Sequence, residues 1–441
     1  MFRRIVLSFL LLFLFLAKAQ SAEIHPVRKV AKNGMTLLIL ERPGLPIVSV
    51  EVLVRAGALF DSDEKAGLAN MTASLLDEGT KQRTSKQIAD AVDFIGASLS
   101  TRAGEDFASG SLRVLKKDVG TGFSLLSDVL MNPIFAPEEV ERVRKNILGE
   151  ILSEKDEPEV VADRAFHDLV FGHHPYHNPV NGRQETVPKI TRGDLVAFHS
   201  AFYRPNNTII AIVGDVTESE TLQLIEKYFG SWEQKALSLP KIAPAGPLKD
   251  KKVQLIDKEL TQASVEIGNV GIARDNPDYY AVSVMNYIMG GGGFSSRLLK
   301  EIRDDRGLVY SAYSRFVANS YPGPFVVSLQ TKNATANAAI QGAIEQLEKI
   351  RQGPVTDAEL KEAKDYLMGS FPLRLDTTSK LAEVLTSIEF YHLGLDYFEK
   401  YPKYIEKVSK DDVLRVARKY IDPQHYALVV VAKQTEAKIK E

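Results

Sequence analysis

The chain has 441 residues, with 55 Lys and Arg against 57 Asp and Glu, and no cysteine. The near-neutral balance excludes the basic excess of a nucleic-acid binder, and 44% hydrophobic with 25% charged residues excludes a disordered bulk. Without cysteine there is no disulfide, thiolate metal ligand or cysteine nucleophile, and the length suits two or three domains.

Arg3 and Arg4 precede an apolar run from Ile5 to Leu16, and small residues follow from Ala17 to Ala22. A positive start, a short apolar middle and small residues at the cut mark a secretory signal over 1–22, cleaved after Ala19 or Ala22. The run falls short of the roughly 20 residues that span a bilayer. Export to a periplasm without stable membrane insertion is therefore expected.

Thr36 to Leu40 and Ile47 to Val54 read as strands, and Leu68 to Leu76 as a helix. Ser85 opens a second helix and Gly96 closes it. Residues 107–115 alternate like a half-buried strand. Glu138 to Leu152 is an amphipathic helix with Val140, Val143, Ile147, Leu148 and Ile151 on its apolar face. His173, His174 and His177 are interrupted by Pro175, which removes the helical pair a metal would use and leaves a structural loop. Ile209 to Val213 is a strand. Residues 233–251, with Pro240, Pro244 and Pro247, form a semi-extended linker between a domain at 23–232 and another at 252–441.

The second half repeats the first. Ser85 to Gly96 lies over Ser296 to Gly307, Glu139 to Gly149 over Glu359 to Gly369, and Asp194 to Val213 over Asp412 to Val431. Three blocks in one order at nearly one spacing make duplication the better account. The expected fold class is α+β: two homologous domains, each a mainly antiparallel sheet with helices on one face, with a cleft between them. Gly290, Gly291, Gly292 and Gly293 lack the Lys-Ser or Lys-Thr of a phosphate loop, so they read as a site of tight backbone approach before a helix capped at Ser295 or Ser296.

The residues Gly67-Leu-Ala-Asn-Met-Thr-Ala-Ser-Leu-Leu-Asp-Glu-Gly-Thr80 resemble the zinc-site segment of the pitrilysin/insulinase family. Asn146 to Glu150, Ile212 to Asp215, Tyr228 to Trp232 and Ser295 to Tyr310 resemble further family segments, and the likeness runs from about Val27 to Lys433. These peptidases carry an inverted His-x-x-Glu-His motif, two histidines on one helix face and a glutamate that acts as base. Here Asn70, Ala73 and Ser74 fill those three positions. Glu150 falls where the family places its distal glutamate ligand, or is a solvated residue on a helix flank. The resemblance thus implies no catalytic residue and no metal or cofactor of the chain's own, with zinc on a partner subunit.

Arg303 and Tyr310 match the arginine and tyrosine that the family aims at substrate from its second domain. The corresponding first-half positions are Val92 and Leu99. What the resemblance implies is a non-catalytic subunit of an exported heterodimeric zinc peptidase. It would pair with a homologous chain bearing an intact His-x-x-Glu-His and supply Arg303 and Tyr310 to a peptide or unfolded substrate. The alternative is a structural or peptide-binding protein with no peptidase role.

Overall fold

Two large apolar cores, one of first-half residues alone and one joining the second half to a face of the first sheet, organise the computed structural model, which describes residues 24–440. The proposed signal over 1–22 lies outside the described residues. Among these, no helix is long and apolar enough to cross a membrane.

The first sheet comprises β1 (Val27–Val30), β2 (Thr36–Glu41), β3 (Ile47–Val54), β4 (Ser98–Ala103), β5 (Ala108–Leu115) and β6 (Thr208–Gly214), in the order β1-β2-β6-β3-β5-β4. The second comprises β7 (Lys252–Asp257), β8 (Gln262–Val270), β9 (Val309–Ala318), β10 (Pro322–Lys332) and β11 (Ala427–Ala432), in the order β7-β11-β8-β10-β9. Strand β1 aside, the two orders are the same. Each sheet has a single parallel pair, β2 with β6 and β7 with β11, and is otherwise antiparallel. Even buried carboxyl groups recur in register. Glu51 on β3 sits opposite Ser111 and Ala211, and Glu266 on β8 sits opposite Ser328 and Val429.

Alternation along the strands sorts their side chains into two layers. On β3, Val48, Val50, Val52 and Val54 join the core made with helices of the first half, while Leu53 joins the core of the second. The expectation of helices on one face therefore needs correction. Helix Thr378–Phe390, from the second half, packs on β3 and β6, and helix Pro158–Phe171, from the first half, packs on β8 and β11. Each sheet is covered by its own helices on one side and by one crossing helix on the other. The physical reason is that both faces of the central strands are apolar, so neither could be left in water.

The exchange shows locally. Ser49 Oγ lies 2.7 Å from Thr378 Oγ1, and Arg28 holds Glu389 at 2.8 Å. Asp106 ties the halves again: it accepts from Tyr176 Oη at 2.5 Å, Ser320 N at 2.8 Å and Tyr391 Oη at 3.3 Å. It also alters two readings. Strand β5 begins fully buried at Ala108 to Gly110, because Phe107 meets Phe390 of the crossing helix, with ring centroids 5.1 Å apart. Residues 233–251 have no regular structure, but Ile242, Ala245 and Leu248 lie against a third apolar cluster.

Candidate functional site

Helix Leu68–Ala73 carries the first candidate segment. It ends three residues sooner than its sequence suggests, and tight turns follow. Gly67 starts it with φ +98, and buried Asp61 accepts from the backbone N–H groups of Gly67 and Ala69 at 2.9 Å each. A carboxylate at a helix start satisfies otherwise orphaned donors. Burial nevertheless pushes the Asp61 carboxyl up to about 7.

Asn70 is half-buried, and its Nδ2 donates to Asn181 Oδ1 at 3.3 Å. Asn181 Nδ2 donates in turn to Glu154 Oε1 at 3.1 Å, and Glu154 pairs with Arg164. The Ala73 side chain is 0% exposed, and its carbonyl accepts from Thr101 Oγ1 at 2.8 Å. Ser74 is half-buried, and Glu150 is exposed on helix Pro137–Glu154 with no ion pair among the described residues.

This donor set does not fit zinc. An amide engaged by a neighbouring asparagine, a methyl, a hydroxyl and one solvated carboxylate offer no imidazole, and four-coordinate zinc sites are built from imidazole, thiolate and carboxylate. Among the described residues, no group of three or more His, Asp or Glu stands together in a position to hold a metal ion. The histidine loop has other work. His177 Nε2 lies 2.9 Å from Asp63 Oδ1, and its Nδ1 lies 3.5 Å from Asp168 Oδ1. Its hydrogen bond to Asp168 is the main cause that raises its pKa. His174 is buried, accepting from Tyr176 N at 3.2 Å, and burial lowers its pKa.

The second segment is built differently. Helix Tyr279–Asn286 runs into a wide turn, Tyr287–Gly291, in which hydrogen bonds skip five residues. A Cβ on Gly290 would sit 2.4 Å from Ser314 N of β9, so only glycine lets the two backbones meet. Asn286 locks this approach, donating to Ser314 O at 3.2 Å and accepting from Ser314 Oγ at 2.8 Å. Gly293 turns the chain with φ +59, and Ser296 caps the next helix, its Oγ accepting from Leu299 N at 3.4 Å. That helix widens again over Lys300–Asp305, which carries Arg303. Gly307 stops it with φ +63, and β9 begins two residues later. Wide turns of this kind recur at functional sites, and nothing in residue type announced them.

Arg303 and Tyr310 are thereby brought together. The guanidinium carbon lies 5.9 Å from the Tyr310 ring centre and 5.1 Å from that of Phe294. Both rings are 72% exposed. Arg303 makes no ion pair among the described residues. Glu301 binds Arg306 at 2.8 Å and Lys349 at 3.7 Å, and Glu345 binds Arg306 at 2.8 Å. A planar donor fork between two exposed rings, beside a phenol hydroxyl, suits a carbonyl or carboxylate oxygen. Phe294 was missed by sequence reasoning. Its signal was a large aromatic directly after four glycines, where burial is hard to arrange.

Two family models match the chain: insulinase (peptidase family M16) over residues 37–184, and the peptidase M16 inactive domain over 189–367. An uncharacterized zinc protease of Mycobacterium tuberculosis is 28% identical over 417 residues, covering 93% of this chain and 94% of its own length. An uncharacterized zinc protease of Bacillus subtilis is 24% identical, with 80% and 85% covered. A solved structure described as a peptidase M16 inactive domain from Pseudomonas fluorescens superposes with a TM-score of 0.87 at 28% identity, covering 92% of this chain and 98% of that one. A Helicobacter pylori protease shares the fold, with a TM-score of 0.87 at 22% identity and coverage of 93% and 100%.

Proposed function

Because the chain belongs to the insulinase (peptidase M16) family, we propose that it is the metal-free member of a two-chain zinc peptidase. In this reading it has no independent activity. A homologous subunit with an intact His-x-x-Glu-His holds the zinc, and this chain presents Arg303 and Tyr310 to the bound peptide. Relatives named as zinc proteases support the reaction class. The observation that carries the division of labour is the contrast in readiness. Asn70 is spent on Asn181, whereas Arg303 stands unpaired between two exposed rings.

The chemistry left to this chain is electrostatic. A fixed guanidinium and a phenol hydroxyl can stabilise negative charge on a carbonyl oxygen as it develops, without reorganising at that moment. Tyr310 lies on β9, an edge strand, so an extended peptide can pair with the strand that positions the pair. The common strand order of the sheets supports an origin by duplication, with domains over 23–232 and 252–441 joined by 233–251 and facing a clam-shell chamber. The start of the sequence supports export to a periplasm.

The test is turnover of an unstructured peptide by the reconstituted pair. Arg303→Ala should lower it by roughly 100-fold, the usual cost of one charge-stabilising donor. Unchanged turnover would remove this role and leave a scaffold or peptide-binding protein.

A further inference from the structure

A pocket of about 560 Å³ opens on the first half, between the end of helix Val119–Met131, helix Arg192–Phe202 and Trp232. None of Asn70, Ala73, Ser74, Arg303 or Tyr310 lines it. Its volume lies within the usual range for small-molecule sites.

Three cations line this pocket: Lys81, Arg192 and Arg204. None makes an ion pair among the described residues. Lys81 and Arg204 line the pocket together with His199, whose Nε2 lies 2.9 Å from Leu130 O and whose pKa burial lowers to about 4. Arg192 spends part of its fork on the backbone, Nε donating to Phe135 O and Nη2 to Ile134 O at 2.8 Å each. The single carboxylate among the lining residues, Glu233, lies 4.0 Å from Lys235. An excess of positive charge that the protein leaves uncompensated is a binding resource for an anion.

The backbone at this place is also held in an unusual state. Phe135 has φ +49, a conformation that bulky residues rarely adopt, and the two Arg192 hydrogen bonds fix it. Such constraint is common where a ligand is clamped. Trp232 also lines the pocket, and its indole N–H makes no hydrogen bond within the described residues. We propose that this pocket binds a small molecule carrying a phosphate or carboxylate group, its oxyanion held by Lys81, Arg204 and the free edge of Arg192, and its body against Trp232. Arginine and lysine together, around a partly apolar cleft, are the chemistry that recognises such groups.

Trp232 is the one tryptophan of the chain, so its emission reports on this wall. The full chain would be titrated with pyrophosphate and, separately, with citrate, at constant ionic strength, with calorimetry on the same samples. A saturable change is expected with at least one probe: pyrophosphate alone identifies a phosphate ligand, citrate alone a carboxylate. Lys81→Gln/Arg204→Gln should weaken it roughly 100-fold, since each lost charge-assisted bond costs about a factor of ten. Ser200→Glu, at an exposed position lining the same pocket, places a carboxylate there and should abolish binding without touching the core. No saturable signal by either method, or one that both variants leave unchanged, overturns the proposal.

Discussion

Val92 and Leu99 in the first half stand where Arg303 and Tyr310 stand in the second. Both pairs sit on a helix that ends at a left-handed glycine, Gly96 or Gly307, and on the strand that follows. Val92 and Leu99 lie against the core of their sheet, as apolar residues must. Arg303 and Tyr310 leave the core alone and project among exposed rings. One scaffold thus spends the same two positions on stability in one half and on an open polar site in the other. The difference teaches where to look for function: at the place where two like elements stop being alike.

Exchanging the pairs breaks the comparison most sharply. Arg303→Val/Tyr310→Leu should cost the reconstituted peptidase up to about 1,000-fold in turnover, because both charge-stabilising donors leave together. Its melting temperature should stay near that of the parent, since neither side chain supports the core.

The converse applies to the first half. Ala73→Glu, which writes back the family's base, puts a carboxylate where the native side chain is 0% exposed. It should lower unfolding stability by about 2–4 kcal/mol, measured by denaturant titration, the usual penalty for an unpaired buried polar group.

Where the halves agree, they should respond alike. Burial pushes the carboxyls of Glu51 and Glu266 up to about 8 from an ordinary 4.5. The unfolded chain releases these protons near 4.5 while the folded chain keeps them to about 8. Their contribution is therefore intact below the unfolded value and is lost as pH rises through the window toward the folded one. Melting temperature should fall between about pH 5 and pH 8, within the window set by these shifts. Glu51→Gln and Glu266→Gln should each flatten part of that slope, read by calorimetry across pH. The smallest expected effect is that of Phe294→Ala. Loss of one exposed cation–π contact, worth about 0.5–1 kcal/mol, should raise KM of the pair a few-fold with little change in kcat.

Much of this was legible in the residues. Strands β2, β3, β6 and β11 and helix Pro137–Glu154 follow directly from apolar runs and periodicity, since local pattern decides such elements. The stop after Arg303 was legible too, because Gly307 marks a helix end and Val309 a strand start, but the wide turn that carries Arg303 was not. The crossing helices were not. No element was assigned to Thr378–Phe390 or Pro158–Phe171 from the sequence, and nothing local says whose sheet they cover. That choice depends on apolar positions on both faces of strands far away in sequence. The Asn70–Asn181–Glu154 chain was hidden for the same reason, being assembled from three separate segments.

The most direct measurement is peptide hydrolysis by this chain alone, by a homologous chain with an intact His-x-x-Glu-His alone, and by their mixture, with zinc determined on each sample. The account predicts hydrolysis in the mixture well above either component, with zinc on the homologue and none retained by this chain. Stoichiometric zinc and chelator-sensitive hydrolysis in this chain alone would contradict it.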